Sequence, residues 1–519
     1  MTAPRENQGV EETRRRKVFR DWKGVITSAA RNAIPEDSWY HLENLQPIGP
    51  ANIHTVNDIS ASLHDYAGDA IYWSRPLNIS GTDYIISFAT NGKVFAYNIG
   101  AATSAQINAG PTLLSGSGSR MDQWKNQILL IIDSSGYYYW DGTTFAKISG
   151  SGAPSAGTDI AVAFGRVWIV NGRVIFFSGA DGFSNGVPAI PDATNYWDVA
   201  NGAGFVNLTD PVLVESVTRL YAADGYLYFF GKSSINVICD VYVPTGASPP
   251  TPLFNNLNIQ ADLGTDQPGS VYSTNRELTF ANKTGIWAVQ GVQAQRLSAD
   301  IDGTWQYADF SQPIFGGVVS VNNIKTRAIL MKRLNDPIFG SNTVLCMYWD
   351  NKWWFANFGT LTILVPAITS GVQVLYGFVG NKLYQLFART DQSPVSIFMT
   401  PLWPMEDPIE DKQVIRAGFE VSIQSILQQF MLSLDTTSGS FPMPSAPTVG
   451  LVAWINGSGN IVFWQNNAIA IVNWFTGQFL LYNGAAPGAY AKYVGISGNG
   501  QAQFQMGGIY MDYKMGAAW

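Results

Sequence analysis

Between residues 224 and 238 the chain spells out a complete hairpin. A turn pair, Asp224-Gly225, is followed by five bulky β-formers, Tyr226-Leu-Tyr-Phe-Phe230, then a Gly231-Lys-Ser-Ser234 corner and a second apolar run, Ile235-Asn-Val-Ile238. The pattern returns as Tyr84–Phe88, Asn91-Gly92 and Val94–Tyr97, and again as Val167–Val170, Asn171-Gly172 and Val174–Phe177. Asn-Gly between alternating apolar runs predicts a type I′ hairpin, because both central residues of that turn need φ > 0. A chain built of such units folds as many short antiparallel sheets.

Further phrases fall near Gln127–Lys147, Leu278–Leu297, Val344–Phe358 and Val374–Phe387, punctuated by Ser135-Gly136, Asp141-Gly142, Thr284-Gly285, Asp350-Asn351 and Gly380-Asn381. No sustained apolar stripe at helical spacing lies between them, so crossover helices and a parallel sheet are not expected. In Tyr226–Phe230, Tyr226, Tyr228 and Phe230 share one face while Leu227 and Phe229 share the other. A lone sandwich would keep one face polar. Two apolar faces suit small sheets packed on both sides, as in a radial β-propeller of six or seven blades. The spacing of the phrases is uneven, so Pro188–Val214 and Val241–Val271 are expected as loops leaving the ring.

The fold class is therefore all-β: a propeller over residues 61–395, preceded by an N-terminal arm and lead-in at 1–60 and followed by a β-rich platform region at 396–519. Within the lead-in, Ala29–Ala33 allows a helical turn that Pro35 limits, and Pro401-Leu-Trp-Pro-Met-Glu-Asp-Pro408 marks the second boundary. Gln413–Leu434 and Leu451–Tyr482 are further apolar runs, with turn signals at Asn456-Gly457 and Asn483-Gly484 and an aromatic end at Trp519.

Charged residues make up only 13% of the 519, about half the roughly 25% of an average chain, which favours a subunit hidden in a larger assembly. The net charge of −7 gives no global field toward nucleic acid or anionic lipid. The one basic cluster, Arg14, Arg15, Arg16 and Lys17, reads as part of a solvated arm that orders on assembly, and is the candidate assembly contact. No secretion signal and no run of membrane-spanning length appear, so membrane insertion is not expected. Cys239 and Cys346 lie in predicted strands as small core residues, consistent with folding in a reducing cytosol.

Catalytic and metal-binding patterns are sparse. His41, His54 and His64 lack metal-ligand spacing and are expected in structural roles. Gly182-Phe-Ser184-Asn-Gly186 matches a nucleophile elbow in spacing only: Val187-Pro-Ala-Ile-Pro191 cannot continue as a long helix, and no histidine follows His64. Asp300-Ile-Asp302-Gly303 opens like a calcium loop without the later ligands and reads as a turn. Convergence of two Asp residues for glycoside hydrolysis is left open by sequence. No cofactor and no catalytic residue is expected.

Particular phrases carry a resemblance. Gly165-Arg-Val-Trp-Ile-Val-Asn-Gly-Arg-Val-Ile-Phe-Phe-Ser-Gly-Ala-Asp181, then Tyr226–Ile238, then Gln295-Arg-Leu-Ser-Ala-Asp-Ile-Asp302 and Met347-Tyr-Trp-Asp-Asn-Lys-Trp-Trp354, resemble in order the strand phrases of tail nozzle (tail hub) proteins of short-tailed bacteriophages. Trp22-Lys-Gly24, Ile34-Pro35 and Asn44 are similar to that family's lead-in, without its Arg-Pro-Gly ending, and residues 413–519 have no counterpart. The resemblance implies an internal propeller plus a platform, in a structural virion protein of the tail assembled in the host cytoplasm. It implies a homo-hexamer beneath the adaptor ring, meeting tail fibres or spikes and needle or tip proteins, and passing genomic double-stranded DNA without specific binding. The alternative is a propeller binding a host glycan or receptor, with aromatics of Trp349–Phe355 as its sites; a glycan-degrading tail enzyme ranks below it.

Overall fold

Seven blades, six of them four-stranded antiparallel sheets and one formed by Phe315–Val321, Ile324–Lys332 and Thr343–Trp349, close into a ring in the computed structural model. It describes residues 14–50, 52–108, 114–149, 152–180, 196–208, 216–423, 430–437, 439–442, 490–501 and 503–516, with the short pieces 454–455, 461–462, 480–481 and 484–485. The Gly182–Gly186 pentapeptide, most of Leu451–Tyr482, and Trp519 lie outside the described residues. The chain forms two compact units: residues 59–349 with 358–388, and residues 1–58, 350–357 and 389–519.

The first unit is a β-propeller. Six of its sheets follow one another along the chain and open with the strands Ile71–Ile79, Arg120–Trp124, Asp159–Ala163, Arg219–Ala223, Tyr272–Thr274 and Phe315–Val321; the seventh opens with Leu361–Thr369. The opening strands of blades 2, 3 and 4 pack in turn, as do those of blades 5, 6, 7 and 1. His64–Asp65, from before the first blade, pairs with Lys382 and Leu383 as the last strand of blade 7. Two residues near the start of the unit thus close its far end.

The two-sided strands behave as their sequence requires. In blade 4, Leu227 and Phe229 join a core with Trp168, Val170 and Phe177 of blade 3, while Phe230, Tyr228 and Ile235 join Leu278, Phe280 and Val289 of blade 5. Burying each such side chain contributes about 1.5–3 kcal/mol, and each is used between blades rather than inside one.

The hairpins correct one sequence reading. Asn171 pairs with Val174, so the two-residue loop is Gly172-Arg173, and of those two only Gly172 has a positive φ, 64°. This is the Gly-first pattern of a type II′ turn, not a type I′ turn on Asn171-Gly172. The regular type I′ signature lies between first and second strands: Ser80-Gly81, Phe164-Gly165, Asp224-Gly225, Asn275-Arg276, Asn322-Asn323 and Ser370-Gly371 all have both φ values positive. Phe164 and Arg276 adopt that conformation without the usual Gly or Asn, because pairing on either side fixes the loop length.

Two loop assignments also change. Val241–Val271 contains Leu253–Gln260, the fourth strand of blade 4, and the part of Pro188–Val214 that is described contains Gly204–Asn207, the fourth strand of blade 3. Their polar, weakly alternating sequences hide outer strands that have a neighbour on one edge only. The Ala29–Ala33 segment makes a single turn, closed by Ala33 N–H to the Ala30 carbonyl at 2.8 Å.

The second unit joins the two ends of the sequence, where a separate arm and platform are expected. Arg15–Phe19 and Asn52–Thr55 pair with Phe504–Met515, which pairs with Lys412–Ile423. His41–Glu43 lies between Lys352–Ala356 and Ser396–Met399 in another sheet, continued by Val494–Gly500 and Phe430–Thr436. Trp22, Trp39, Trp353, Trp354 and Trp403 are all buried here. Residues 14–50 supply strands and tryptophans to this core, which is why they are not an independent arm. Trp353, Trp354 and Phe355 are core residues and not exposed glycan platforms; Gly24 packs so tightly on Trp353 that an added Cβ would sit 2.3 Å from its main-chain nitrogen.

Candidate functional site

The basic cluster sits on the strand Arg15–Phe19 and the residue before it, and each of its charges is paired within the chain. Arg14 and Arg16 converge on Asp512, with Arg16 Nε 2.7 Å from Oδ1, and Arg416 adds a third guanidinium at 2.9 Å. Asp512 is itself almost wholly buried, and these arginines, led by the Arg16 hydrogen bond, hold its carboxyl well below the usual carboxylate range. Arg15 pairs with Glu406, and Lys17 with Glu36 at 2.6 Å. Arg14 and Arg16 are thus tied by charge to a residue almost 500 positions away, which spacing along the chain could not disclose.

The propeller holds a polar pocket at its centre, between the opening strands of blades 1 to 4. Arg75, Asp122, Gln123, Ile160, Ala161, Val162, Arg219, Leu220, Tyr221 and Ala222 enclose about 170 Å³. Arg75 donates to the Met121 carbonyl at 2.8 Å and lies 3.6 Å from Asp122. Arg219 Nη1 donates to both oxygens of the buried Asp159, at 3.1 and 3.3 Å. Its Nε–H is buried and has no acceptor. Arg120 stands close by, its guanidinium 5.1 Å from the Trp73 ring centroid; burial lowers its pKa, Asp159 opposes this and Arg219 adds to it. Isolated Arg and Asp at strand starts look like ordinary surface charges, so these residues carry no signal in the sequence.

The remaining candidates stay apart. His41 is buried against Phe355, with Nε2 3.4 Å from Glu43; burial lowers the pKa of His54; His64 sits in the ring-closing strand. Among the described residues no three His, Cys, Asp or Glu side chains come together as a metal site. Asp300 and Asp302 lie in a short helical turn, where Asp302 meets Arg296. Cys346 is fully buried and its thiol is pushed up to about 12, while Cys239 is half-buried; both are free thiols. No helix among the described residues is long and apolar enough to cross a membrane.

No family model matches the sequence, and no curated protein matches it. Among solved structures, the chain is similar to the β-propeller domain of Cps50 (Swd1) from Myceliophteria thermophila, with 10% identity over 64% of this chain and 99% of that one and a TM-score of 0.37.

Proposed function

We propose that this chain is a structural virion protein: the subunit of a hexameric tail nozzle that sits below the adaptor ring of a short-tailed bacteriophage and conducts the genome into the host. The observation that supports the reading is the chain's layout. A closed propeller is interposed between segments of a second β unit that both ends of the sequence build, and an internal propeller with a platform is the layout that the ordered phrases of residues 165–354 imply. The low charge content agrees with a subunit covered by neighbours. In this role the protein performs no catalysis of its own, and its partners are its own copies, the adaptor, fibres or spikes, and tip proteins. Negative-stain microscopy of the purified protein, alone and with an adaptor ring, tests the proposal. Six-fold rings are expected; a monomer that retains a glycan on an array would replace it with the receptor-binding reading.

A further inference from the structure

We infer that copies of this chain join head to tail through the second unit, the cationic face around Asp512 of one copy receiving the acidic loop Glu406–Asp411 of the next. The inference deepens the proposed hexamer by naming its contact, and rests on that reading for the occupant, a second copy. Strand register builds the face. Arg16 pairs with Asp512 and Asp512 with Arg416, so the three side chains share one side of the sheet, and Arg14 reaches the same carboxylate. A guanidinium has five N–H donors and a carboxylate about four lone-pair sites, so Asp512 cannot occupy the donors of three arginines. Three guanidiniums against one carboxylate leave two positive charges, in a chain whose net charge is −7. Arg14 and Arg16 stay 47% and 55% exposed, and Val18, on the same side of the strand, 49%.

The loop Glu406-Asp-Pro-Ile-Glu-Asp411 has the complementary chemistry. Glu406 pairs with Arg15, whose side chain points to the opposite side of the strand from Arg14 and Arg16. Arg15 thus roots the loop on the far side of the sheet from the cationic face. Asp407, Glu410 and Asp411 gather around Lys412, whose buried ammonium donates to the Glu410 and Lys492 carbonyls at 2.6 and 3.2 Å. With Lys412 and the neighbouring Lys492 both counted, three carboxylates still outnumber two ammoniums. At the tip the Asp407 carboxylate accepts the Ile409 N–H at 2.7 Å, and this turn presents Ile409 at 76% exposure, more than any other large apolar side chain among the described residues. An apolar tip flanked by carboxylates fits an exposed valine flanked by guanidiniums: Ile409 and Val18 leave water together while the acids accept from the arginines. Because the two surfaces differ and lie on opposite sides of one sheet, the contact repeats from copy to copy, as a ring requires, where a two-fold contact would stop at a dimer.

Mass photometry of the full chain tests the contact. Glu410→Lys with Asp411→Lys reverses the loop without touching the cationic face, and should raise the concentration for half-assembly about tenfold or more, because like charges set face to face oppose association. Arg14→Glu, which leaves Arg16 and Arg416 on Asp512, should act in the same direction, and a chain carrying all three substitutions should recover part of the loss. A disulfide trap reads the geometry independently of stability. On a Cys239→Ser background, differently tagged Val18→Cys and Ile409→Cys chains should cross-link when mixed and oxidised, and neither should dimerise covalently alone. Wild-type hexamers that survive both reversals would overturn this contact and leave the nozzle reading in place. Dimers or open chains in the wild type, broken by the same reversals, would overturn the six-fold reading and keep the contact. A covalent dimer of either single-cysteine chain alone would replace the head-to-tail contact with a two-fold one, and a wild type monomeric at every concentration would remove both readings.

Discussion

Asp122 on blade 2 accepts the main-chain N–H of Val162 on blade 3 at 2.7 Å. The next blade repeats the device: Asp159 accepts the Leu220 N–H at 2.7 Å, and the Tyr221 hydroxyl accepts the Ser273 N–H at 2.9 Å. The opening strand of each blade has a ladder partner on one side only, so its other edge leaves amides to be satisfied. At the junctions of blades 2 and 3, 3 and 4, and 4 and 5 a side chain of the preceding blade does this, stitching the blades together beside the apolar cores that they share.

The stitching should matter in proportion to burial. Asp159→Ala strands both the Leu220 amide and the Arg219 guanidinium, and should cost about 3–5 kcal/mol, as breaking a buried pair does. Asp122→Ala should cost about 1–3 kcal/mol, since Asp122 is more exposed. Denaturant midpoints of the two variants give the order; equal losses would show that burial of Asp159 is not what sets the penalty.

The corrected hairpin makes an opposed pair of substitutions. Gly172→Val places a β-branched residue at φ 64° and should lose about 1–3 kcal/mol. Asn171→Val, at an exposed strand position opposite Val174, should stay within about 0.5 kcal/mol of the wild type. Thermal unfolding of both decides the turn type: a larger loss for Asn171→Val would restore the turn to Asn171-Gly172.

Asp512 gives the second unit an acid limb. Its folded pKa is depressed below its unfolded value, first through Arg16 and then Arg14 and Arg416. The stabilisation is therefore complete above the ordinary Asp pKa of about 4 and is lost as pH falls below it. Asp512→Asn should be less stable than the wild type at pH 7, and the gap should narrow as pH falls below about 4. A gap independent of pH would mean that the carboxylate's charge is not what the arginines stabilise.

Cys346 should be silent to a thiol reagent at pH 8 until the protein unfolds, because it is fully buried and its thiol is pushed up to about 12. Cys239, half-buried, is the only one expected to react in the native state. Counting thiols before and after denaturant checks this, and fast labelling of both in the native protein would contradict the packing of Thr343–Trp349.

The blades were legible wherever one strand had to be apolar on both faces, as in Tyr226–Phe230 and Val167–Val170, because burial there leaves little freedom of residue type. Outer strands such as Leu253–Gln260 were not, since a strand with few packing obligations can be written Asn-Asn-Leu-Asn. His64–Asp65 is too short and polar to be read as a strand, and only its position opposite Lys382 and Leu383 makes it one. Trp353-Trp354 is ambiguous in sequence because an aromatic pair suits a core or a binding surface, and its burial decides for the core. The pocket was invisible for a related reason: Arg75, Asp122 and Arg219 converge only once the ring is closed.

The last prediction concerns duplex DNA and the cluster Arg14–Lys17. A conduit must let the genome pass without gripping it, and every Lys or Arg held on phosphate adds salt-sensitive affinity. The net charge of −7, together with basic residues already paired to Asp512, Glu406 and Glu36, suits a neutral-to-negative bore in the proposed hexamer. We therefore expect no measurable duplex affinity at physiological salt by fluorescence anisotropy. Deleting residues 1–17 is a poor test of the cluster, because it strips partners from Asp512 and part of a strand from Phe504–Met515. The double substitution Arg15→Ala and Lys17→Ala is cleaner: both pairs are solvated and worth about 0–1 kcal/mol each, so the subunit should stay folded. If these residues are the assembly contact, that variant should form fewer hexamers at a given concentration by mass photometry while melting with the wild type. Wild-type assembly by the double variant would remove the cluster from the contact, and micromolar duplex binding lost in it would refute the non-gripping conduit.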